Sequence, residues 1–174
     1  MSLDEIKEQA RILAALTCFL DEDVDTGKYS VFDHNVCSAY IEYPDGRKET
    51  LFSYSNPSRL KKGLIGEYEF IIASGIPDKI IARGGMQDLH TEVRLLNFLY
   101  EYRLKGITGA VINFFSMRSV CDTCRAAIYT FMKEVNGRHA VTAYEFKIEK
   151  YGCVTDYVYP ITQNKGEQAA IKYA

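Results

Sequence analysis

Apolar residues recur along this chain at two spacings, one helical and one strand-like, and the switches between them mark out successive elements. Ile6, Ala10, Leu13, Leu16 or Thr17, and Leu20 form one stripe at helical spacing. Ahead of them, Ser2-Leu3-Asp4-Glu5 reads as a capping box, with Ser2 as N-cap and Glu5 three residues on, so a helix is predicted to near Asp21. Val36 to Tyr43 alternates and is rich in strand formers, Pro44-Asp45-Gly46 is a turn, and Glu49 to Tyr54 alternates again: a β-hairpin. Asn56 to Gly66 reads as a basic loop or short helix. Tyr68 to Ala73 and Lys79 to Ala82 read as two short strands separated by Gly75-Ile76-Pro77-Asp78.

The second half repeats a simpler phrase. Turn residues Arg83 to Asp88 lead into His90, and Val93, Leu96, Leu99 and Leu104 follow at helical spacing. A strand-like run, Ala110 to Phe115, leads to Cys121. Ala127, Ile128, Phe131, Met132 and Val135 then give a second helical stripe, stopped by Asn136-Gly137. Ala140 to Glu149 and Cys153 to Thr162 are strand-like and joined by Lys150-Tyr151-Gly152, a link too short for a parallel crossover, so these strands must be antiparallel neighbours. The tail from Gln163 reads as loose or as a short helix. The pattern predicts one α/β domain over 1–174, a mixed sheet flanked by helices on both faces with an antiparallel C-terminal hairpin.

Composition narrows the classes. With 174 residues and 47% hydrophobic content, the chain can bury a substantial core. A formal net charge of −2 provides no strong basic field for tight nonspecific nucleic-acid binding, although a local basic groove is compatible with it. No apolar run has the length of a membrane span and no signal peptide is visible, so no membrane partner is expected. Of five cysteines, Cys18, Cys37 and Cys153 sit in apolar or strand-like contexts and read as buried small hydrophobes, a usage that suits a reducing compartment.

The chemistry gathers at two helix starts. His90-Thr91-Glu92 opens one predicted helix and Cys121-Asp122-Thr123-Cys124 the other. Positions i and i+2 point to different sides of a helix, so His90 and Glu92 can share a metal only if it lies off the N-terminal end. Cys121 and Cys124, at i and i+3, fall on one face. Unpaired N–H groups at helix N-termini favour thiolates. His90, Cys121 and Cys124 thus make a three-ligand zinc set, with Glu92 as a carboxylate beside it. A structural zinc is closed by four protein ligands, whereas three leave a position for water, whose pKa zinc lowers towards neutrality. A closed structural zinc and chance remain the alternatives. A redox dithiol would follow the first strand of a βαβ unit and would not come with an upstream H-x-E.

H-x-E followed by C-x-x-C is the signature of zinc nucleobase deaminases. In element order and motif placement nearly the whole chain resembles the cytidine deaminase-like superfamily, which implies a three-layer α/β/α fold. Within it, Leu89-His90-Thr91-Glu92-Val93-Arg94-Leu95-Leu96 and the later Phe115 to Cys124 are similar to bacterial polymorphic-toxin deaminases. The antiparallel final hairpin resembles the branch that holds free cytidine deaminases and many toxin deaminases. The family's usual Pro before the first Cys is Val120 here, which loses some preorganisation of the helix start and removes no ligand.

The resemblance implies that His90, Cys121 and Cys124 bind zinc and that Glu92 is the catalytic proton shuttle in hydrolytic deamination of cytosine, or less readily adenine. It places Asn35 against the substrate sugar, a turn residue before a strand being the alternative. Ser116, Arg118 and Ser119, read on the loop before Cys121, line the pocket or are exposed loop. His34 is a pocket neighbour or an ordinary turn residue. Arg59, Lys61 and Lys62 grip phosphates or are simply solvated, and Tyr54, Tyr157 and Tyr159 stack on bases or complete the core. The implied partners are DNA or RNA and a cognate immunity protein. The implied location is a secreted effector acting in the target-cell cytoplasm, or the cytoplasm if the chain is not a toxin domain. A metabolic deaminase of free nucleosides, nucleotides or bases, and a non-catalytic zinc-stabilised interaction domain, are the competing functions.

Overall fold

The computed structural model describes residues 1–22, 35–54, 71, 91–117, 122–148, 154–161 and 171–172. Helix α1 spans Leu3–Glu22, strand β1 Val36–Glu42 and β2 Lys48–Tyr54. Helix α2 runs Thr91–Leu99 and passes into a π-helical turn, Tyr100–Leu104. Then come β3 (Val111–Ser116), α3 (Asp122–Val135), β4 (Ala140–Ile148), β5 (Val154–Pro160) and a two-residue β6 (Ile171–Lys172). The six strands form one mixed sheet in the order β2-β1-β3-β4-β5-β6. β3 and β4, joined through α3, are parallel; every other pairing is antiparallel. The short strands predicted near Tyr68 and Lys79 lie outside the described residues, apart from Ile71, whose N–H donates to the Phe52 carbonyl at 2.8 Å.

Local chemistry fixes the ends. The Ser2 N–H donates to Glu5 Oε2 at 2.8 Å and the Glu5 N–H donates back to Ser2 Oγ at 3.2 Å, closing the capping box that starts α1. In the β1–β2 turn Gly46 takes φ +89°, a value open to glycine at little cost, while the Asp45 carboxylate accepts from the Arg47 N–H at 3.0 Å. Gly137, at φ +82°, ends α3 in the same left-handed conformation.

At β1 the sheet is covered on both faces: Val36 to Ala39 are all buried. On one face α1 sets Ile6, Ala10, Leu13 and Leu16 against Val36, Phe52, Tyr54, Phe115, Tyr144, Phe146 and Val158. On the other, α2 and α3 pack Val93, Leu96, Leu99, Ala127, Ile128 and Phe131 against Ala39, Ile41, Leu51, Ile112, Phe114 and Ala143. Each fully buried large apolar side chain here contributes roughly 1.5–3 kcal/mol of transfer free energy. Helix α2 is enclosed beyond its predicted stripe: Thr91, Glu92, Leu95 and Asn97 are buried as well. Its far end is tied to the hairpin by Arg103, whose Nε lies 2.8 Å from Glu49 Oε1, an oxygen that also accepts from the Tyr43 hydroxyl. Within the C-terminal tail, read from the sequence as loose or a short helix, Ile171 and Lys172 instead pair with β5.

Candidate functional site

Strand register brings separated polar residues into one row. Cys37 pairs with Ser53 on one side and with Ser116 on the other. Ser116 pairs with Glu145, and Glu145 with Tyr159. Directly paired residues point to the same face of a sheet, here the face that carries α2 and α3. The neighbouring row, Leu51, Ala39, Phe114 and Ala143, is wholly apolar and buried. The floor under the two helices therefore changes from hydrocarbon to polar groups at the end where both helices begin.

The first turns of α2 and α3 meet over that polar row. Glu92 is the second residue of α2 and only 6% exposed. A carboxylate so buried is costly unless it is hydrogen-bonded, and two neighbours donate to its Oε1. Asn35 Nδ2 donates to Glu92 Oε1 at 2.7 Å, and Ser116 Oγ donates to the same oxygen at 3.1 Å. Asn35 Nδ2 also lies 3.0 Å from Ser116 Oγ, closing a triangle, and 3.4 Å from Cys37 Sγ. The second carboxylate oxygen, Oε2, faces Cys124 Sγ at 3.6 Å. The turn is held from outside by Val93 in the core and by Arg94, whose Nη1 donates to the Tyr54 carbonyl at 3.0 Å. Burial pulls the Arg94 guanidinium below its ordinary pKa.

Next to Cys124, Arg125 reaches down to the same floor. Its Nη2 lies 3.1 and 3.2 Å from the two Glu145 oxygens, a buried pair that ties the first turn of α3 to β4. Cys37 completes the enclosure. Burial pushes its thiol well above the ordinary value, and the charge of Glu92 pushes in the same direction.

Of the residues marked in the sequence, Glu92, Cys124, Asn35 and Ser116 are brought together, though they lie as much as 89 positions apart in the chain (35 to 124). His90, Cys121, Arg118 and Ser119 lie outside the described residues, as do His34, Arg59, Lys61 and Lys62. His90 immediately precedes the first residue of α2, and Cys121 the first residue of α3, as their motifs require. One placement differs from expectation. Ser116 is the last residue of β3, fully buried, and not part of an exposed loop. Asn35 turns its amide onto Glu92. Tyr54 belongs to the core at 1% exposure, whereas Tyr157 is 39% exposed. Arg125 and Glu145 carry no motif in the sequence, and Cys37 reads there only as a buried small hydrophobe, which it is. Cys37 had a signal, because in a strand it shares a face with Asn35, two residues earlier.

Two thiols and one imidazole form a donor set suited to zinc. Cys124 Sγ beside an acidic oxygen, at the convergence of two helix N-termini, fits one ligand of that set. Among the described residues no group of three or more His, Cys, Asp or Glu side chains stands ready to hold a metal; His90 and Cys121 are not among them. The described residues thus define a mixed α/β protein with a buried carboxylate–thiol site at the sheet's end. Comparisons with protein-family models, curated proteins and solved structures returned no match.

Proposed function

We propose that this chain is a zinc-dependent hydrolytic deaminase acting on cytosine in DNA or RNA. The observation that carries the reading is the buried Glu92 carboxylate set against Cys124 where α2 and α3 begin together. A purely structural zinc has no use for such a carboxylate. Strand order and the antiparallel β4–β5 pair support the three-layer cytidine deaminase-like assignment.

His90, Cys121 and Cys124 would hold the zinc, which supplies Lewis-acid activation of water when bound. Glu92 takes one proton from the attacking water and passes it to the ring nitrogen, then takes the second from the hydroxyl added at C4 and passes it to the departing amine. In net terms the C4–O bond forms, the C4–N bond breaks, and cytosine plus water gives uracil plus ammonia. The row next to Ser116 (Leu51, Ala39, Phe114 and Ala143) is buried hydrocarbon, and Glu92 itself is 6% exposed, so the carboxylate works in a largely water-excluded setting. The motif sequences around His90 and Cys121 support a toxin effector domain that acts in the cytoplasm of a target cell and is blocked by a cognate immunity protein. No described helix is long and apolar enough to cross a membrane.

Incubating the zinc-loaded protein with single- and double-stranded DNA and RNA, then sequencing, tests the reading. C-to-U change in at least one polymer, lost in Glu92→Ala, is expected. Absence of conversion in every polymer removes it, and ammonia release from free cytidine far faster than from any polymer shifts it to a metabolic deaminase. Cys37 gives the non-catalytic alternative its one supporting observation, since a buried third sulfur stands near the site.

A further inference from the structure

We infer that Asn35 and Ser116 are positioning residues for Glu92, fixing one carboxylate oxygen so that the other carries the proton. Both donors converge on Oε1, at 2.7 and 3.1 Å, while Oε2 is turned to Cys124 Sγ. Two strong donors on Oε1, against one weak thiol contact on Oε2, keep the carboxylate in a single orientation about its last torsion, which otherwise is broad and roughly two-fold. The two oxygens of Glu92 therefore have different work. Oε1 is anchored, and Oε2 is the atom that takes and returns the proton.

The anchor is itself rigid. Asn35 leads directly into β1, Ser116 closes β3, and the Met117 N–H donates to the Val36 carbonyl at 3.0 Å, locking the two strand ends together. Asn35, Ser116 and Glu92 are 8%, 0% and 6% exposed, so the triangle forms the inner wall of the site. The direction of each bond is set by chemistry. The Asn35 amide nitrogen can only donate, an ionised carboxylate can only accept, and the Ser116 hydroxyl accepts from the first and donates to the second. This replaces the sugar-contact role for the Asn35 amide with one directed at Glu92.

The activity arm rests on the deaminase reading; the stability arm does not. With single-stranded DNA containing one cytosine as probe, Asn35→Ala is expected to lower kcat by roughly 100-fold with KM within about threefold, the cost of a misplaced general acid–base. Ser116→Ala is expected to lower kcat by about tenfold, and Ser116→Thr to restore most of it. Asn35→Asp is the sharper variant. Aspartate keeps an acceptor for a sugar hydroxyl but cannot donate to Glu92, so kcat should fall at least as far as in Asn35→Ala. Raised KM with wild-type kcat in Asn35→Ala, or full activity in Asn35→Asp, overturns the inference in favour of a sugar contact.

The second arm needs no turnover. Asn35→Ala should lower Tm by about 5 °C in the wild-type background and by about 1 °C or less in Glu92→Leu, because the bond to a charged acceptor is already gone. Asn35→Asp should be the most destabilising of the set and be largely relieved by Glu92→Gln. Equal Tm shifts in both backgrounds overturn the inference whether or not any nucleic acid is deaminated. A wild-type protein that shows the coupling and no deamination contradicts only the reading of function.

Discussion

Replacing Arg125 with Met leaves Glu145 without its guanidinium on the floor of the site. The side chains of the pair are 11% and 10% exposed, so little water can reach the abandoned carboxylate. Removing one partner of a buried ion pair costs about 3–5 kcal/mol, and the slight exposure here places the expectation near the lower end. For a chain of 174 residues each kcal/mol corresponds to about 2–4 °C in Tm, so a loss of roughly 6–12 °C is predicted. Glu145→Leu alone should behave similarly by removing the carboxylate that the Arg125 guanidinium contacts. The double variant Arg125→Met with Glu145→Leu replaces both charges by hydrocarbon and should recover most of the loss, since such exchanges are often neutral or stabilising. Differential scanning calorimetry of the four proteins gives the cycle directly. If both single variants melt within about 1 °C of wild type, or the double variant loses the sum of the two, Arg125 and Glu145 are not a coupled buried pair. Because Arg125 follows Cys124, the single variants should also release zinc at lower chelator concentration than wild type.

Acid should weaken the protein through His139. Its Nδ1 accepts from the Ala110 N–H at 3.1 Å, and burial followed by the charge of Arg138 lowers its pKa. The folded state prefers the neutral ring, so this contribution is complete above the ordinary value near 6.5. It is lost as pH falls through the lowered one. Between about pH 7 and 5 the Tm of wild type should therefore drop more steeply than that of His139→Asn, which keeps an acceptor and cannot titrate; parallel slopes would refute the assignment. In the core, Phe114 is fully buried between the sheet and α2–α3, and Phe114→Ala should cost about 3–5 kcal/mol, or 6–20 °C in Tm. A loss under about 1 kcal/mol by urea denaturation would mean that the two helices do not pack on that strand.

Local chemistry was legible in the chain. The Ser2–Glu5 capping box, the Pro44-Asp45-Gly46 turn, the stop at Gly137 and the antiparallel β4–β5 pair all follow from rules that span a few residues. The first-turn positions of Glu92 and Cys124 were equally plain, because each motif heads its own helical stripe. What was hidden is register. Nothing within β1 or β3 alone says that Cys37 stands opposite Ser116, or that Ser116 stands beside Glu145. That pairing places Ser116 at a buried strand end, where the chain alone read a loop that lines the pocket or stands exposed, and sets Glu145 under Arg125. The return of Ile171 to the sheet was hidden for a similar reason, since a two-residue strand carries no periodicity of its own.

The central claim is that zinc, when bound here, is held by one imidazole and two thiolates with a coordination position left for water. X-ray absorption spectroscopy at the zinc edge reads this directly on the purified, metal-loaded protein. The account predicts about two sulfur neighbours near 2.3 Å and about two nitrogen or oxygen neighbours near 2.0–2.1 Å. A third sulfur, lost in Cys37→Ser, would mean that Cys37 closes the site as a structural ligand and would contradict the catalytic reading.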